Sequence, residues 1–117
     1  ADVVYGAERS IRQDLDLDPT IPLIILGGRG SVGSYVTNKF LDSGRDTYVV
    51  EYGDELPKHL KDKPVILIDV ARKGVLEKHL HNFWSGMVII NETYPEPPKS
   101  VVKNLEQKRI KIYSDLH

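Results

Sequence analysis

The sequence predicts an α/β protein, with a single five-stranded parallel sheet covered by helices on both faces in a three-layer arrangement. Two observations lead there. Short apolar runs alternate along the chain with amphipathic stretches of helical period, the pattern of strands joined by crossover helices. Within the runs, apolar residues stand at successive positions and not at every second one, as in strands covered on both faces.

The first run is Ile21-Pro22-Leu23-Ile24-Ile25-Leu26. A glycine-rich turn follows, then Val32, Val36 and Phe40 at helical spacing, with Gly44 as the stop signal. Thr47-Tyr48-Val49-Val50-Glu51 reads as the second strand. A polar stretch containing a short helix over 55–61 leads to Pro64, which opens the third strand, Val65-Ile66-Leu67-Ile68-Asp69. Leu76, His79, Leu80 and Phe83 share one face of a helix that begins at Gly74 or Val75, with Phe83 and Trp84 packing at its end. Met87-Val88-Ile89-Ile90 is the fourth strand. The rigid turn Tyr94-Pro95-Glu96-Pro97-Pro98 starts a helix carrying Val101, Val102 and Leu105, because proline is tolerated in a helix's first turn. Ile110-Lys111-Ile112-Tyr113 completes the sheet. With right-handed crossovers and a reversal after the third strand, the expected strand order is 3-2-1-4-5.

Residues 1–19 stand ahead of this pattern. Ala7 to Leu17 reads as a charged helix that turns Ile11 and Leu15 inward and ends before Pro19. The expected division is therefore an N-terminal linker helix over 1–19 and the sheet domain over 20–117. The absence of an initial methionine and the stop soon after the fifth strand suggest a piece of a larger protein.

With 40% hydrophobic and 28% charged residues, the chain has the composition of a globular domain. A formal charge of −1 without a basic stripe argues against a nucleic-acid partner. No cysteine is present, which excludes disulfides, thiolate catalysis and cysteine metal sites. No apolar run approaches the roughly 20 residues that cross a bilayer, and residues 1–6 lack the features of a signal peptide. The chain is expected to be cytoplasmic, with no membrane partner. His79 and His81 are two positions apart on a helix and point in different directions, so they make no helical metal pair. His79 is expected at the edge of the core, with His59, His81 and His117 exposed. Neither a Gly-x-Ser-x-Gly elbow nor a Walker lysine occurs, so hydrolase and P-loop readings have no support.

The chemistry concentrates in Gly28-Arg29-Gly30-Ser31-Val32-Gly33, a Gly-x-Gly-x-x-Gly loop between a strand and a helix. Gly28 is expected to take a positive φ in the turn. Gly30, lacking a Cβ, would admit a pyrophosphate, and Gly33 would let the helix approach the strand. The N–H groups near Ser31 and Val32 would point at the phosphates, aided by the helix dipole. Glu51, 18 positions after Gly33, ends the second strand where a carboxylate accepts hydrogen bonds from an adenosine ribose. That carboxylate would repel a 2′-phosphate, so NAD is favoured over NADP. Arg29 is either a phosphate contact or an exposed loop side chain. Beyond the other strand ends, Val70 and Ala71 would flank the cofactor, while Asn91 and Thr93 would meet a carboxamide or substrate. Asp69 is open to a second role, capping the turn after its strand.

The run from Leu23 to Gly33, with Glu51 downstream, resembles the NAD(P)-binding Rossmann-fold superfamily. Within it, the arrangement is similar to the cofactor domains of two-domain amino-acid, shikimate and folate dehydrogenases, in which a linker helix enters from a separate catalytic domain. The resemblance implies a dinucleotide cofactor and an oxidoreductase role completed by another domain or subunit, with homo-oligomerisation also open. Catalytic residues are not assignable, because the catalytic lysine and aspartate of the shikimate-type enzymes lie in the other domain. Glu51-Tyr52-Gly53 departs from the NADP-binding Asn-Arg-Thr-like segment of the shikimate enzymes. A non-catalytic NAD(H)-sensing module is the alternative.

Overall fold

Five parallel strands of four residues carry the architecture: β1 Leu23–Leu26, β2 Thr47–Val50, β3 Ile66–Asp69, β4 Val88–Asn91 and β5 Lys111–Ser114. These are seen in a computed structural model that describes residues 2–114. Helices α1 Asp2–Asp14 and α2 Ser31–Asp42 cover one face, and α3 Val75–His79 and α4 Lys99–Gln107 cover the other. The fold is α/β with three layers, as expected. Among the described residues, no helix is long and apolar enough to cross a membrane.

Alternate residues of each central strand feed two separate cores. Ile24, Leu26, Leu67 and Ile89 pack with Val75, Leu76, Val101 and Leu105 under α3 and α4. Leu23, Ile25, Ile66, Ile68, Val88 and Ile90 pack with Val36 and Phe40 under α2 and with Val4 under α1. Strands β1, β3 and β4 are buried at every position, which explains their unbroken apolar composition.

The strand order is β2-β1-β3-β4-β5, which corrects the expected 3-2-1-4-5. Burial supplies the reason. An edge position would uncover Ile66, Leu67 and Ile68, so β3 takes the place beside β1, whereas β2 tolerates an edge because Thr47, Tyr48 and Val49 are only half-buried. The β2–β3 connection is also not a helix over 55–61; it forms only a 3-10 turn at Lys58–Leu60. Leu56 and Leu60 are buried with the α3–α4 core, so this segment crosses that face of the sheet. The reversal thus occurs one strand earlier than expected. The chain turns away in opposite directions from β1 and β3, and the crevice beyond their carboxyl ends is where open α/β sheets take ligands.

The remaining elements follow their sequence signals. Helix α2 ends in a Schellman arrangement, Arg45 N–H to Phe40 C=O and Gly44 N–H to Leu41 C=O, with Gly44 at φ +84°. Helix α3 continues into a 3-10 turn at Leu80–Asn82, and Trp84 donates its indole N–H to Lys63 C=O at 2.8 Å. Helix α1 begins earlier than Ala7 and packs on the sheet domain. Tyr5 stacks on Phe40 with ring centroids 5.0 Å apart, and buried Glu8 meets both terminal nitrogens of Arg45 at 3.0 Å. Arg12 adds a third contact to Glu8 at 3.1 Å. A charge pair this deep costs stability when either partner is removed alone, by about 3–5 kcal/mol.

Candidate functional site

The carboxyl edge of the sheet gathers the glycine loop, the end of β2 and the loop after β3. Gly27, not Gly28, takes the positive φ, at +87°. A Cβ there would lie 2.6 Å from the Ala71 Cα, so the turn out of β1 is pressed directly against the loop after β3. The Gly27 N–H donates to Val50 C=O at 2.9 Å, which ties the same turn to β2. At Gly28 the constraint is lateral: a Cβ would stand 2.9 Å from Thr37 Oγ1 and from Val49. Gly33 behaves as the motif requires, because its Cβ would fall 2.1 Å from the Gly27 carbonyl oxygen.

Gly30 is different. It is the N-cap of α2 at φ −69°, ψ 174°, and a Cβ on it would find only the Gly27 oxygen, at 3.7 Å. Internal packing therefore asks for no glycine there. The first hydrogen bond into α2 runs from Ser34 N–H to Gly30 C=O at 2.7 Å. The N–H groups of Ser31, Val32 and Gly33 meet no acceptor among the described residues, no side chain caps the helix, and its first turn holds no acid. Three unsatisfied donors on a 12-residue helix, at the positive end of its dipole, form a ready receptor for an anion. The side chains of Ser31 and Val32 point to solvent and leave the approach clear.

Glu51 directly follows β2. Its Oε2 is buried yet has no hydrogen-bond partner among the described residues. A buried carboxylate oxygen without a donor costs about 1–3 kcal/mol, so the site suits a ligand hydroxyl. The Glu51 backbone is firmly held: its N–H donates to Asp54 Oδ2 at 2.9 Å, and its C=O lies 3.2 Å from His79 Nε2. His79 is buried, as expected of a core-edge histidine, and anchors α3 to the end of β2. Arg29 leans from the glycine loop towards Asp54, with Nη1 3.9 Å from Oδ2, while remaining 70% exposed.

On the other side of the crevice, Val70 N–H continues the β1–β3 ladder to Leu26 C=O at 3.0 Å, and Ala71 walls the glycine turn. Asn91 is buried and closed on its own loop: its amide donates to Thr93 C=O at 3.2 Å and accepts from the Thr93 hydroxyl at 2.8 Å. Both polar ends of that side chain are thus already engaged within the loop. Asp69 does cap the turn after β3, accepting from Ala71 N–H at 3.0 Å.

Sequence reasoning missed the surroundings of Asp69. The residue is 2% exposed, and burial, with Glu77 nearby, pushes its carboxyl up to about 7 against the pull of the Ala71 N–H. It lines a partly open cavity of about 170 Å3 together with Lys73, Glu77, Thr93 and the proline-rich turn. A charged residue ending an otherwise apolar strand, with an acid eight positions later, was the available signal. His59 and His81 are exposed as expected, and His117 lies outside the described residues. No cluster able to hold a metal occurs among the described residues.

Compared with known proteins, the chain matches no family model, no curated protein and no solved structure.

Proposed function

We propose that this chain is the dinucleotide-holding domain of an NAD(P)-dependent oxidoreductase, with NAD favoured over NADP. The observation that carries this reading is Gly30, a glycine that internal packing does not require, placed as the N-cap of a helix whose first three N–H groups meet no acceptor among the described residues. The pyrophosphate would rest on the N–H groups of Ser31, Val32 and Gly33. Glu51 Oε2, buried and without a partner, would accept the adenosine ribose hydroxyls and repel a 2′-phosphate. Val70 and Ala71 would line the path from there towards β4. The cofactor, once bound, supplies hydride transfer, and the fold's part is to hold and orient it. The groups acting on a second substrate would come from a separate domain or subunit.

Titration of NADH fluorescence tests the proposal. The wild-type chain is expected to saturate below about millimolar NADH. Gly30→Val should abolish saturation while costing the fold no more than about 1–2 kcal/mol in a urea melt, and Glu51→Ala should weaken NADH and narrow its advantage over NADPH. The reading fails if neither nucleotide binds the wild type, or if Gly30→Val binds as well as the wild type does.

A further inference from the structure

A second feature at the carboxyl edge is independent of the glycine loop. The cavity of about 170 Å3 between the loops after β3 and β4 is lined by Asp69, Lys73, Gly74, Glu77, Thr93 and residues 95–98. At the roughly 30 Å3 that a liquid water occupies, it has room for a group of about half a dozen heavy atoms. Asp69 forms its floor at the end of β3. One carboxyl oxygen accepts from Ala71 N–H, and among the described residues no hydrogen bond reaches the other. No ion pair is made by Asp69 or Glu77 with any described cation. Lys73, at the rim, is exposed to solvent.

A buried carboxyl without a counter-ion, beside a second acid, is an expensive arrangement unless something supplies charge and donors. A bare metal ion fits poorly, because no cluster of three or more ligating side chains exists among the described residues. An ammonium group fits better, since it brings three N–H donors and a positive charge in a compact head. The Thr93 hydroxyl donates to Asn91 Oδ1, so its oxygen remains available as an acceptor. Gly74 and the prolines at 95, 97 and 98 supply apolar wall for attached carbon. We propose that this cavity binds a small organic ammonium group, held by Asp69 and Glu77 with the Thr93 hydroxyl as third acceptor.

The charged groups facing Asp69 are Glu77 from α3, Lys73 from the loop before it and Glu96 from the turn before α4; β1 presents only Leu26 alongside. Only the carboxylate form of Asp69 attracts a cation. Affinity should therefore fall as pH drops through about 7.

Two-dimensional amide NMR of the whole chain, titrated with methylammonium chloride at pH 8, tests the site. Saturable shifts are expected at Ala71, Gly74, Glu77 and Thr93, with a dissociation constant of about millimolar. Potassium chloride at equal ionic strength and neutral acetamide should not reproduce them. Asp69→Asn, which keeps an acceptor for the Ala71 N–H, should weaken binding at least about tenfold, and Glu77→Gln severalfold. The proposal is overturned if methylammonium gives no saturable shift, if potassium or acetamide gives the same one, or if affinity is unchanged between pH 8 and pH 6. NADH binding is read separately, so either site can fail without the other.

Discussion

Two halves of the same sheet edge are built on opposite plans. Around β1 and β2, backbone meets backbone: Gly27 against Ala71, Gly33 against the Gly27 carbonyl, with the charges of Arg29 and Asp54 left outside. Around β3 and β4, polar side chains are drawn inside: Asp69 and Asn91 are buried and tied to their own loops, and Glu77 lines the cavity beside them. The first half offers fixed N–H dipoles with no acid or histidine in the turn itself. The second offers a carboxyl whose charge changes near neutral pH. A ligand on the glycine side therefore meets permanent dipoles and the Glu51 carboxylate at the end of β2, whereas one on the β3–β4 side meets a carboxyl whose charge changes with pH.

The sharpest way to break this contrast is within the glycine loop. Gly33→Ala places a Cβ 2.1 Å from a backbone oxygen that no rotamer can move. The loss should be about 3 kcal/mol or more, at or beyond the upper end for ordinary overpacking, and readable as a shifted urea midpoint. Gly30→Ala, at a φ of −69° with open space beyond, should stay within about 1 kcal/mol of the wild type. Equal costs at the two positions would mean that Gly30 also serves internal packing, and the case for a pyrophosphate there would lose its main support.

On the other half the expected effect is a slope with pH. The Asp69 carboxyl is raised from 3.8 to about 7, so the folded state holds a proton that the unfolded chain has already released between those values. Stability from this group is present in full below pH about 4, declines as pH rises towards 7 and is level above it, a total of a few kcal/mol by linkage. Asp69→Asn should remove that slope and be more stable than the wild type at pH 8. Urea melts at pH 5 and pH 8 decide it; parallel losses in both proteins would show that the slope belongs to other groups.

These contrasts bear on what the sequence makes legible. The strands and the α2 cap were readable because local chemistry decides them: consecutive apolar residues at 23–26 and 66–68, and a glycine one position after the helix C-cap. The strand order was not, since it turns on which strand can bear exposure. Thr47 and Tyr48, set against the unbroken Ile66-Leu67-Ile68, held that information, but a default topology outweighed it. The glycine loop was found as a motif, yet the positive φ belongs to Gly27 because Ala71 lies against it, a contact between segments 44 positions apart. The Glu8–Arg45 pair and the Asp69–Glu77 cavity depend in the same way on which elements the fold brings together.

The smallest expected effect concerns Arg29, where the two halves of the glycine loop's role separate. Its guanidinium is 70% exposed and 3.9 Å from Asp54, a geometry that contributes about 0–1 kcal/mol at a solvated surface. Arg29→Ala should therefore leave the urea midpoint nearly unmoved. Nucleotide binding discriminates further. If Arg29 turns from Asp54 to a phosphate on binding, the variant weakens NADH and NADPH, with a steeper loss for NADPH should the contact be to the 2′-phosphate. If the side chain merely covers the loop, both affinities hold. Asp54→Asn supplies the complementary reading: freeing Arg29 from its only acidic neighbour among the described residues should strengthen a phosphate contact and leave a solvent-facing arginine without consequence. Opposite responses to these two substitutions would assign Arg29 to the ligand, and flat responses to both would assign it to the surface.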